Sequence, residues 1–151
     1  DEPTTALDVT IQAQILELIN KLKAEKNLSI IFITHDLGVV AQTCEKAAVI
    51  YAGEIVEYGT VHEVFKSMKH PYTIGLMNSI PKIHVDERRL HPIEGLMPDP
   101  VSLPDGCKFC DRCRFAIDKC KKENPEMVKL GGEHLVKCFR ANEDLKGGIW
   151  E

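Results

Sequence analysis

Two groups of residues in this chain of 151 carry recognisable chemistry. Asp1 and Glu2 form a carboxylate pair at the head of the stretch Asp1-Glu2-Pro3-Thr4-Thr5-Ala6-Leu7-Asp8, and a later apolar run ends in Thr34-His35-Asp36. Adjacent carboxylates can divide labour, Asp1 holding a metal ion and Glu2 orienting a water. A residue just past the end of a strand points into the crevice where open α/β sheets bind ligands. There, His35 can contact a phosphate whose charge develops during transfer. The second group is Cys107, Cys110 and Cys113, with two residues between each, followed by Cys120 and Cys138. Three thiolates at that spacing match the opening of a ferredoxin-type run, so an iron–sulfur cluster ranks first and the spacing places Cys110 in the ligand set. Structural zinc usually uses two separated Cys-x2-Cys or Cys/His pairs, and Cys120 and Cys138 do not form a second pair. Disulfides rank third, because the rest of the chain suits a reducing compartment. Cys44 reads as a small buried side chain, and His134 as a surface residue with zinc ligation as its lesser reading.

These residues need elements to position them. Ile11, Ile15, Leu18 and Leu22 recur at helical spacing over 9–25, with Asp8 as the cap and Asn27 as the stop. Residues 29–34 and 47–52 read as short buried strands, and 36–43 as a short helix. Gly53 marks a turn into a weaker strand over 54–58, ended by Gly59. Helices are expected over 61–68, capped by Thr60, and over 72–79 after His70-Pro71. Strands alternating with helices predict an α/β architecture up to about residue 80. Prolines at 92, 98, 100 and 104 predict an extended connector over 81–104. Residues 105–140 carry nine basic and six acidic residues, against six basic and ten acidic in 1–80, which supports a boundary near 104. The expected division is therefore 1–80, a linker over 81–104, a small irregular Cys-rich module over 105–140 and a tail over 141–151.

Composition narrows the function. With 44% hydrophobic and 28% charged residues the chain suits a folded globular protein. A net charge of −4 and no basic–aromatic interleaving argue against nucleic acid as a partner. No apolar stretch is long enough to span a bilayer, and no signal peptide is present, so a cytoplasmic setting is expected. The start at Asp1, a carboxylate pair with no preceding element, reads as a fragment of a longer protein.

Taken together, Asp-Glu-Pro-Thr-Thr-Ala-Leu-Asp at 1–8, Ile-Phe-Ile-Thr-His-Asp at 31–36 and Tyr-Ala-Gly-Glu-Ile-Val-Glu-Tyr-Gly at 51–59 closely resemble the second half of an ABC-transporter nucleotide-binding domain. His70-Pro71-Tyr72-Thr73-Ile74-Gly75-Leu76 and the cysteine stretch resemble the ATP-binding subunits of oligopeptide/dipeptide importers. The resemblance extends to about residue 140. It implies the C-terminal part of a P-loop ABC-type domain followed by the Cys-rich module. It implies that Asp1 binds magnesium, that Glu2 is the catalytic glutamate, that Asp8 belongs to the D-loop reaching a dimer partner, and that His35 senses the γ-phosphate of ATP. In that family the ligands of a 4Fe–4S cluster match Cys107, Cys113, Cys120 and Cys138, which leaves Cys110 outside the set; Zn2+ is the alternative. A structural role for the cluster is the first expectation and redox sensing the second. The implied partners are a second ATP-binding subunit, identical or paralogous, and membrane permease subunits, at the cytoplasmic face of the cell membrane.

The phosphate-cradling Gly-x-x-x-x-Gly-Lys-Ser/Thr is missing, as is the Leu-Ser-Gly-Gly-Gln signature. The expected function is thus part of an ATP-hydrolysing subunit that powers peptide import, inactive as an isolated chain. The alternative is a non-catalytic iron–sulfur or zinc interaction module.

Overall fold

Asp8 opens the first helix as its type and position require. Its Oδ1 accepts the N–H groups of Thr10 and Ile11, both at 3.0 Å. In the computed structural model, which describes residues 1–80 and 92–145, this helix is α1, Val9–Lys26. Asn27 ends it in the left-handed region, φ 49°, donating its N–H to Lys23 O. Asp36 caps α2, Leu37–Thr43, through Gly38 N and Val39 N.

The strand expected over 29–34 does not form. Its apolar residues lack a ladder: Glu2 N–H donates to Ile33 O at 2.7 Å, and Ile31 is 89% exposed. Strand propensity becomes a strand only when a neighbour pairs with it, and the described residues bring a single backbone bond to this segment. Residues 1–45 form one unit, in which Leu16 and Val39 are the buried apolar side chains.

The second unit begins at Lys46. β1, Lys46–Tyr51, and β2, Glu54–Thr60, form a hairpin. Ala52 and Gly53 close it with φ of 47° and 80°, the double left-handed turn that matches strand twist. β1 was expected to be buried throughout. Instead its residues alternate between exposed and half-buried, with only Tyr51 buried, because β1 is an edge strand of an antiparallel sheet packed on one face. β2 continues through Gly59 to Thr60, which caps α3, Val61–Lys66, in a reciprocal capping box with Glu63. Pro71 opens α4, Pro71–Asn78, where its missing N–H costs nothing.

The cysteine stretch is more regular than expected. A 3-10 turn at Cys110–Arg112 leads to α5, Asp118–Lys122, and to the hairpin of β3, Val128–Gly131, and β4, His134–Val136. The sheet order is β1-β2-β4-β3, and every described pairing is antiparallel. β4 pairs with β2, so backbone hydrogen bonds join the cysteine stretch to the hairpin. Phe109 joins Tyr51 and Val56 in one buried cluster with Tyr72 packed against it. Ring centroids are 5.1 Å apart for Tyr51–Phe109 and 4.7 Å for Tyr51–Tyr72. Arg112 fastens the segment before it, donating to the carbonyls of Ile93 and Glu94. Of the expected linker, residues 81–91 lie outside the described residues, as do 146–151 of the expected tail; Leu145 is buried against Ile74. The fold class is mixed α/β with an antiparallel sheet.

Candidate functional site

In the first unit, Glu2 and His35 meet. His35 Nδ1 lies 2.8 Å from Glu2 Oε1, and Thr5 Oγ1 donates to Glu2 Oε2 at 2.8 Å. The Glu2 N–H bond to Ile33 O holds the two segments together. Glu2 sits at φ 38°, a left-handed conformation that an L residue keeps only where its surroundings enforce it. The hydrogen bonds from His35 and Thr5 hold the Glu2 carboxyl below the usual carboxylate range. The result is an exposed carboxylate, aimed by two side chains, that can orient a water and accept its proton. Asp1 is exposed beside it. Asp8 lies six residues on with its carboxylate engaged as the α1 cap. One supporting contact has no signal in the linear sequence: Gln12 Nε2 donates to Asp36 Oδ2 at 3.1 Å, tying α1 to the residue after His35.

In the second unit, Cys107, Cys110, Cys113, Cys120 and Cys138 line one cavity together with His70. Cys107 N–H donates to Cys120 O at 2.8 Å. Gly106 permits that approach, since a Cβ there would lie 2.3 Å from Cys120 O. Three of the sulfurs receive backbone N–H groups from two residues on: Cys107 from Phe109, Cys113 from Phe115 and Cys138 from Arg140, the last at 3.4 Å. Such donors favour the thiolate. The Cys110 thiol is raised first by burial, and then by the neighbouring Cys120 and the Asp111 carboxylate, which oppose its ionisation. Burial outweighs the donors. It pushes the Cys107 thiol up to about 11 and the Cys113 thiol up to about 12, with neighbouring sulfurs adding to the rise. The Cys138 thiol is raised for the same reason.

The donor set suits an iron–sulfur cluster in kind and number. Among the described residues, however, no three His, Cys, Asp or Glu side chains converge closely enough to grip a metal ion. Cys44, expected to be buried, is half-buried in the first unit.

The sequence reading missed the support of this cavity. Glu57, fully buried in β2, accepts from Lys69 N at 2.8 Å and His70 N at 3.0 Å, and pairs with His134 Nε2 at 2.7 Å. His134 is therefore not the surface residue expected; it is 5% exposed, because β4 carries it onto the only buried carboxylate among the described residues. His70 is 1% exposed, and its Nδ1 accepts the Tyr72 N–H at 3.1 Å, capping α4. Burial pushes the His70 imidazole down to about 3. A polar residue at an inward strand position and a His-Pro helix start were the available signals, and neither names its partner.

Residues 56–120 match the family model described as oligopeptide/dipeptide transporter, C-terminal region. The chain is similar to the dipeptide transport ATP-binding protein of Caldanaerobacter subterraneus, 46% identical over 143 residues. It is 48% identical over 143 residues to an oligopeptide transport ATP-binding protein of Haemophilus influenzae, and 47% over 144 to one of Bacillus subtilis. Each match takes in 95% of this chain and 44% of the relative, so the chain spans less than half the length of the curated relatives it matches. Over residues 56–120 by that model, and along 95% of its length by these relatives, the chain is similar to the ATP-binding proteins of oligopeptide and dipeptide transporters.

Proposed function

We propose that this chain is part of an ATP-hydrolysing subunit that powers peptide import at the cytoplasmic face of a membrane. Residues 1–80 are read as the C-terminal part of its ABC nucleotide-binding domain, and 105–140 as its Cys-rich module. The observation that carries the reading is the Glu2–His35 pair at 2.8 Å, in a chain whose relatives are named peptide-transport ATP-binding proteins. Glu2, aimed by His35 and Thr5, orients the attacking water and accepts its proton. His35 stands beside it to contact the γ-phosphate, and Asp1 supplies a hard oxygen ligand for Mg2+, which would neutralise phosphate charge. Asp8 is read as the D-loop residue that reaches a second ATP-binding subunit, and membrane permease subunits as the receivers of the motion. Positioning supplies most of the acceleration in phosphoryl transfer, so residues 1–151 alone, without a phosphate-cradling motif, should not turn ATP over. In the intact protein Glu2→Gln should abolish hydrolysis and spare ATP binding, since the amide keeps the shape but not the base. His35→Ala should cut turnover. Wild-type transport by either variant would sink the assignment.

For the cavity, the reading is a 4Fe–4S cluster held by Cys107, Cys113, Cys120 and Cys138. Its support is that these cysteines line one cavity and that Cys107, Cys113 and Cys138 accept backbone N–H groups. Four thiolates on one cluster would fasten the turn at Cys110–Arg112, α5 and the segment after β4 to each other, a structural role. Anaerobically purified intact protein should carry iron and sulfide near one to one. Cys110→Ser should keep them, and Ser at any of the other four positions should lose them. One zinc per chain and no iron would refute the reading.

A further inference from the structure

His35 is aimed by its backbone rather than by packing. Its side chain is 76% exposed, and among the described residues its ring has one hydrogen-bond partner, Glu2 Oε1. The chain on either side of it is pinned. Before it, Ile33 O accepts the Glu2 N–H at 2.7 Å. After it, Asp36 N–H donates to Thr34 Oγ1 at 3.0 Å. The two oxygens of the Asp36 carboxylate serve different elements. Oδ1 accepts Gly38 N–H and Val39 N–H at the start of α2, at 2.8 and 3.1 Å, while Oδ2 accepts Gln12 Nε2 at 3.1 Å. The bonds from Val39 and Gln12 hold the Asp36 carboxyl below its usual range, so it stays an acceptor. The α2 cap needs only Oδ1, and it fixes Asp36 relative to α2 alone. Oδ2 relates Asp36 to α1 instead, at Gln12, whose own backbone N–H donates to Asp8 O at 2.9 Å. Thr5 N–H to Glu2 O and Leu7 N–H to Thr4 O shape the turn that leads back to Glu2. Glu2, that turn, Gln12, Asp36 and His35 therefore close a ring of contacts within one unit.

We propose that Gln12 is a positioning residue for ATP hydrolysis: by holding Asp36 from α1, it sets His35 against Glu2. This rests on the function proposed above, in which Glu2 orients the water and His35 contacts the γ-phosphate. An exposed imidazole on a loop samples many placements unless the backbone that carries it is fixed. Gln12 fixes it from a helix, and phosphoryl transfer is the chemistry in which placement carries most of the acceleration. An amide suits the task. It donates to the carboxylate as a charge-assisted bond, yet brings no cation beside His35, so the ring answers to Glu2.

The test measures ATP turnover and ATP binding in the intact protein. Gln12→Glu sets a second carboxylate against Asp36, so the link has no donor; the new charge lies near the start of α1, where the helix tolerates it. This variant should bind ATP as wild type does and lose roughly ten- to a hundredfold in kcat, the cost of a small misplacement. Asp36→Asn keeps the link, since its amide donates to Gln12 Oε1 while its oxygen still caps α2. Gln12→Glu combined with Asp36→Asn turns the bond round, amide to carboxylate, and should restore the kcat of Asp36→Asn alone. Gln12→Glu added to His35→Ala should slow that variant no further, because Gln12 acts through His35. A kcat at the wild-type value in Gln12→Glu, no rescue by Asp36→Asn, or a further loss on top of His35→Ala each overturns the inference; the last is the result expected of a merely structural contact. Wild-type turnover by His35→Ala overturns the functional reading and this inference with it, and that variant alone identifies the case.

Discussion

Replacing Glu57 by Ala should nearly unfold the second unit. The carboxylate has no solvent exposure and takes three hydrogen bonds, from Lys69 N, His70 N and His134 Nε2. Truncation leaves those donors buried without an acceptor. Each stranded donor costs about 1–3 kcal/mol, so the three together cost about 3–5 kcal/mol at the lower end of that range. Since a domain of this size is stable by only about 5–15 kcal/mol, the loss is a large share of the total. The three tyrosines of the chain, Tyr51, Tyr58 and Tyr72, all lie in this unit, so the tyrosine signal in near-UV circular dichroism reports on it. With a urea m-value of about 1–2 kcal/mol/M, the midpoint should fall by roughly 2–3 M. His134→Ala removes one of the three bonds and should cost about half as much. The two losses should not add in the double variant, because they share a partner. A loss below about 1 kcal/mol for Glu57→Ala at unchanged m, or strict additivity with His134→Ala, would refute the clasp.

Gly106→Ala drives a Cβ into Cys120 O and the Lys121 backbone, which cannot yield as a side-chain tip would. It should destabilise the unit by about 1–3 kcal/mol or more and loosen the Cys107–Cys120 bond, measured as a lower melting temperature. In metal-free protein, Cys107 and Cys113, raised to about 11 and 12, should be almost wholly protonated at pH 8. Roughly one Cys107 thiol in a thousand is then ionised, so iodoacetamide should modify both slowly, accelerating only above pH 10; rapid labelling at pH 8 would contradict the burial argument. Asp8→Ala should cost α1 about 1 kcal/mol of helix stability while Asp8→Asn costs little, read by far-UV circular dichroism.

Local chemistry was legible in the sequence because its partners lie within a turn. Asp8, Asp36 and Thr60 each cap the helix that follows, and Ala52-Gly53 closes its hairpin, through contacts spanning two to four residues. The family was legible as well, since its motifs are contiguous strings. Glu2 and His35 were named from those strings, but their meeting depends on the Ile33 carbonyl holding Glu2 N–H. What the linear order concealed is set by long-range pairing. Glu57 and His134 are separated by 77 positions, and the β2–β4 register brings them together. That register buries His134, while the cluster around Phe109 carries the cysteine stretch onto the hairpin and His70 to the wall of the thiol cavity. Local propensity cannot encode such contacts, because burial and hydrogen-bond partners arise only when distant segments pack. The run over 29–34 shows the converse: its apolar, β-branched residues carry the propensity, yet without a pairing neighbour it has no ladder.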